Sequence, residues 1–175
     1  EIYQCDWSSD VCSSDLEELH RLDFEPAEQE YMAALGPIIS RSPRTVKRFV
    51  NTYRIIRMQL GGDDLATFLG ETPDQAAGFT TVLYLLAMVV GAPQLAAPVF
   101  EAIAQLPDDS NTDTDSMADR LKALEPPTGV DIEPELSKAL SRVLHPNQDE
   151  SLHALPSPAL GRVRYWSGVV RRFSF

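Results

Sequence analysis

Between Arg41 and Gly62 the chain carries six basic residues and no acid, although its net charge at pH 7 is −11. The run reads Arg41-Ser42-Pro43-Arg44-Thr45-Val46-Lys47-Arg48-Phe49-Val50-Asn51-Thr52-Tyr53-Arg54-Ile55-Ile56-Arg57. At roughly 100° per residue, Val46, Phe49, Val50, Tyr53, Ile56 and Leu60 share one face of a helix, and Arg44, Lys47, Arg48, Asn51 and Arg54 take the opposite one. Ser42 is a good cap, and Pro43 suits the first turn, where its missing N–H costs nothing. Arg44 lies in that first turn, one turn from Arg48, and a helix N-terminus adds partial positive charge and N–H donors of its own. The combination suits an anion, either a phosphate or acidic residues on a partner. Its plainer reading is a solvated charged face with arginine–acid pairs to neighbouring helices.

Other chemistries find less support. His20, His145 and His153 show no His-Glu-x-x-His spacing, and His145, Asp149 and His153 lie in a proline-flanked stretch that reads as an exposed loop; no metal site is expected. Nothing matches the Gly-x-Ser-x-Gly elbow of a serine nucleophile. Spaced aspartates in residues 107–116 invite calcium, but the glycine and closing glutamate of an EF-hand are missing, so a solvated acidic loop is the expectation. A second basic cluster, Arg162, Arg164, Arg171 and Arg172, interleaves with Tyr165 and Trp166. There Leu160, Val163, Trp166 or Ser167, Val170 and Phe173 form a packing stripe, which makes Trp166 a core residue before a base-stacking one. The acidic balance also argues against nucleic acid as a partner.

Helices punctuated by proline and glycine must position these groups. The spacing predicts helices over about 26–39, 42–60, 72–91, 93–106, 116–124, 134–144 and 158–172, with no alternating strand pattern. Thr72-Pro73-Asp74 opens the third, Pro98 bends or restarts the fourth, and Ser116 with Asp119 caps the fifth. No apolar run reaches the ~18 residues of a membrane span; the longest, Phe79 to Ala92, reads as a buried core helix. The expected fold is all-α, an irregular bundle of about six to seven helices behind an unstructured N-terminal segment.

Residues 1–16 have no helical or strand periodicity, and neither lysine nor arginine. Glu-Ile-Tyr-Gln-Cys-Asp-Trp-Ser-Ser-Asp-Val-Cys-Ser-Ser-Asp-Leu resembles translated sequencing-adapter read-through, of the kind found at the ends of metagenomic reading frames, and is set aside from fold reasoning. Both cysteines, Cys5 and Cys12, go with it, and without its four acids the net charge is −7. A disulfide framework, a thiolate zinc site and a cysteine nucleophile then fall away, and a cytoplasmic location is the expectation. The natural protein is expected to be longer, with this chain as its C-terminal piece.

The run Ser42-Pro43-Arg44-Thr45-Val46-Lys47-Arg48-Phe49-Val50-Asn51-Thr52-Tyr53-Arg54-Ile55-Ile56-Arg57 resembles the stretch after the nucleotide-binding core in bacterial KAP-like P-loop NTPases, within the STAND and AAA+ group. Val82 to Val90 and the ending Val169-Val170-Arg171-Arg172-Phe173-Ser174-Phe175 resemble the same family more weakly. The likeness implies a helical lid-like region over 17–106, with 117–175 packed on the same core beyond the acidic loop. It also implies a second-sensor arginine at a Pro-Arg helix start. Arg44 is that candidate, with Lys47 and Arg48 beside it and Asn51 and Arg54 further along the basic face. The departure is that no Gly-x-x-x-x-Gly-Lys-Ser/Thr loop occurs; the three lysines, Lys47, Lys122 and Lys138, follow no glycine, and no apolar strand ends in a magnesium-holding acid. By this reading the chain is non-catalytic and holds no cofactor, ATP and Mg²⁺ belong to a core encoded upstream, and the helices close over nucleotide and relay its state. The alternative is a helical interaction module that reads acidic partners through the same basic face.

Overall fold

In the computed structural model, residues 23–70, 77–109, 114–148, 152 and 155–173 are described. They form α1 (Pro26–Ala34), α2 (Gly36–Ile39), α3 (Pro43–Met58), α4 (Gly62–Leu69), α5 (Gly78–Gly91), α6 (Pro93–Ala104), α7 (Thr114–Leu124), α8 (Pro134–Leu144), a 3₁₀ turn (Pro146–Gln148) and α9 (Val163–Arg171). The protein is all-α, with no strand among the described residues. The expectations for residues 1–16, for His20, and for Thr72-Pro73-Asp74, Asp149 and His153 lie outside them.

The sequence of α5 is apolar all round, and such a helix must be wrapped by others. Phe79, Val82, Leu83, Tyr84, Leu85, Leu86, Ala87 and Met88 are all buried, and α1, α2, α3, α4, α6 and α9 pack around them. Its two threonines have a use that the hydropathy pattern alone does not reveal. The Thr81 hydroxyl donates to the Ala159 carbonyl at 2.6 Å, and the Ala159 N–H donates to Thr80 Oγ1 at 3.0 Å. This pins residues 156–160 against the core as irregular backbone, so the last helix starts at Val163 rather than near Pro158.

Two further boundaries differ from the periodicity. The first helix breaks at Leu35, because Gly36-Pro37 cannot continue the ladder and instead opens α2. Residues 62–69, too short a stretch for apolar spacing to mark, form α4, with Asp63 and Asp64 in its first turn and Gly70 closing it at φ +81°. A single apolar core then runs from Tyr31 through α5 to Val170.

Candidate functional site

Helix α3 is built as its residues dictate. Ser42 Oγ accepts the Thr45 N–H at 3.1 Å, and Pro43 occupies the first position. Phe49, Tyr53 and Ile56 are buried, holding the helix against α5. Arg44, Lys47, Arg48, Asn51 and Arg54 are exposed, on the side the wheel assigned to them. Among the described residues, no ion pair or hydrogen bond engages the side chains of Arg44 and Lys47. The Arg54 guanidinium lies 5.1 Å from the centre of the Phe24 ring. Arg41, at the approach to the helix, pairs with Glu133 at 2.5 Å.

The helix end contributes less than its sequence promised. Thr45 N–H goes to the cap, Val46 N–H goes to the Ser42 carbonyl at 3.2 Å, and Pro43 has no N–H. Backbone donors for an anion are therefore mostly spent, and side-chain charge must do the binding.

The sixth cation of the run, Arg57, is turned inward. It is 4% exposed and lies 3.3 Å from Glu28 Oε1, while its NH1 donates to the Asp23 carbonyl at 2.5 Å. Glu28 is fully buried. It accepts the Glu25 N–H at 2.7 Å and the Tyr53 hydroxyl. Burial raises the Glu28 carboxyl above the usual carboxylate range, opposed by the Tyr53 hydrogen bond, the Glu25 N–H and the Arg57 charge. The group ties α1 to α3 and sets which face α3 shows to solvent.

A second buried cation organises the other end of the molecule. Arg120 is wholly buried, with NH1 2.7 Å from Asp109 Oδ1 and NH2 donating to the Asp108 carbonyl at 2.7 Å. Its Nε donates to Ser116 Oγ at 3.1 Å, so Ser116 sits inside α7 and serves Arg120 rather than capping the helix. The Asp109 carboxylate also receives the N–H groups of Arg164 and Tyr165, at 3.2 and 2.8 Å, and so caps α9 from a distance. Asp109 is thus a structural anchor, not part of a freely solvated acidic loop. Trp166 is core, as its stripe required, packed on Phe68 with ring centres 5.1 Å apart. Arg162 stacks over Tyr165 at 4.3 Å.

Among the described residues, an open groove of about 450 Å³ along α8 is lined by Ser137, Lys138, Ser141, Arg142, His145 and Gln148. No cluster of three or more histidine, cysteine or acidic side chains among the described residues could hold a metal, and His145 is half-buried, 3.5 Å from Glu125. Open grooves of about 570 Å³ between α6 and α7, and about 610 Å³ between α6 and α9, are lined mainly by proline, alanine and other apolar residues. Neither converges polar groups on a point, as a catalytic pocket does. No described helix is long and apolar enough to cross a membrane.

No family model, curated protein or solved structure matches this chain.

Glu28, Arg57, Asp109 and Arg120 were not singled out in the sequence. A signal existed for the two arginines. Arg57 falls one turn beyond Tyr53 on the flank of the apolar face, and Arg120 shares the face of Ser116, Ala123 and Leu124. For Glu28 and Asp109 there was none, because their partners are distant in the chain.

Proposed function

We propose that this chain is the non-catalytic helical part of a KAP-like P-loop NTPase, in which α3 turns Arg44, flanked by Lys47 and Arg48, toward the phosphates of nucleotide held by a separate core. The observation that carries the reading is the sorting of cations on α3. Arg57 is consumed in the core, whereas Arg44 and Lys47 stand exposed without an ion-pair partner among the described residues. A cation in the first turn opposes the helix dipole, a placement that costs a few tenths to about 1 kcal/mol, so folding alone gives no reason for it. The spent backbone donors support a side-chain contact to phosphate, made by the Arg44 guanidinium, and not a backbone cradle.

The test is Arg44→Ala in the longer protein that this reading implies. Turnover of ATP should fall by roughly tenfold or more, the scale of losing a charged transition-state contact, while the melting temperature of the present chain stays put. Unchanged turnover, or an upstream coding sequence without a phosphate-binding loop, would defeat the proposal.

A further inference from the structure

The exposed face of α3 continues past its cations. Ile55 is 47% and Met58 58% exposed, two of the three large hydrophobic side chains that the described residues leave in solvent. They are not scattered. Arg44, Arg48, Asn51, Ile55 and Met58 follow one another at steps of four, three, four and three, the spacing of a heptad seam. In that register Lys47 and Arg54 fall on the flank that faces a partner's charges, and Thr45, Thr52 and Gln59 fall on the other. The opposite side of α3 is anchored by Phe49, Tyr53 and Ile56, so the seam is held outward by the fold.

A surface helix normally places polar residues where Ile55 and Met58 stand, and an apolar pair at seam positions beside flanking cations is the arrangement of a helix awaiting another helix. We infer that the outer face of α3 docks an acidic amphipathic helix of a partner protein, its apolar residues packing on Ile55 and Met58 and its acids reaching Lys47 and Arg54.

Charge decides the occupant. The seam and flanks bring four cations and no acid, so a second copy docking through the same face would set like charges opposite one another. Nucleic acid would leave Ile55 and Met58 without a matching apolar surface, and would meet a chain of net charge −11. Asn51, polar in the middle of the seam, would fix register at some cost in affinity. A 16-residue helix is about 24 Å long, so the contact is small and should bind weakly and reversibly.

The inference is told apart from the nucleotide reading at Ile55 and Met58, which have no part in that reading, whereas Arg44, Lys47 and Arg48 belong to both. The experiment titrates the whole chain with a fluorescent helical peptide about three heptads long, leucine at its seam and glutamate on its flanks, and with a twin carrying lysine for glutamate. Saturable binding of the acidic peptide that weakens with salt, and none of the basic twin, is expected. Ile55→Glu with Met58→Glu should cut affinity at least about tenfold at unchanged melting temperature, since both sites are exposed, and Lys47→Glu with Arg54→Glu should do the same. Binding that survives the Ile55 and Met58 changes would overturn the inference. So would equal binding of both peptides, tighter binding of a single-stranded oligonucleotide, or concentration-dependent self-association in sedimentation that those changes abolish. Loss of peptide binding in the Ile55→Glu, Met58→Glu variant with ATP turnover intact separates this surface from Arg44.

Discussion

The Tyr31 hydroxyl is buried and has no hydrogen-bond partner among the described residues. Its ring meets Phe79 edge-on at 6.0 Å, so the ring contributes to packing while the hydroxyl adds only desolvation. Tyr31→Phe should be neutral or up to about 1 kcal/mol stabilising in urea denaturation; a clear loss would mean that the hydroxyl is satisfied after all. Glu28 gives a pH-dependent counterpart. Its folded carboxyl is raised above the ordinary value of 4.5, so the unfolded chain gives up this proton first as pH rises. The stability contribution of Glu28 is therefore full below about pH 4.5 and is lost as pH climbs through the raised value. Between pH 4 and 7, the wild type should lose stability relative to its own acid value more steeply than Glu28→Gln, in parallel denaturation series. Equal slopes would show that Arg57 and Tyr53 already hold the carboxylate ionised. The substitution also leaves Arg57 without its counter-charge, so the slope, and not the absolute stability, is the measurement.

Helices in this fold approach closely at two glycines that frame α5. A Cβ on Gly91 would lie 2.3 Å from the Ile38 carbonyl oxygen, and one on Gly78 would meet the Trp166 ring at 2.7 Å. Backbone at Ile38 cannot rotate aside, so Gly91→Ala should cost roughly 1–3 kcal/mol, a melting-temperature drop of about 2–4 °C for each kcal/mol. Gly168, inside α9 with nothing within 4 Å, is the control: alanine there should leave stability unchanged or raise it by up to about 1 kcal/mol. A harmless Gly91→Ala would mean that α2 yields. Most helices were legible from apolar spacing, capping and proline, as at Ser42-Pro43, Pro93 and Pro134. The start of α9 was not, because it depends on two threonines of α5 holding Ala159 and on Asp109 receiving the amides of Arg164 and Tyr165.

For the whole molecule, the core that joins Tyr31 to Val170 through α5 predicts one cooperative unit. Thermal unfolding followed by far-ultraviolet and near-ultraviolet circular dichroism should give coincident transitions. Two separated transitions, with the segment after Pro107 melting apart from the helices before it, would show that the acidic stretch divides the chain. The sequence by itself determined the helical class, the buried identity of α5 and the split of α3 into an apolar and a basic face, because each follows from periodicity within one segment. Tertiary structure decided which charges are surface and which are core. Arg57 and Arg120 are as basic in the sequence as Arg44, yet burial beside Glu28 and Asp109 takes them out of any surface site. That choice depends on partners 29 and 11 residues away, which no local pattern encodes.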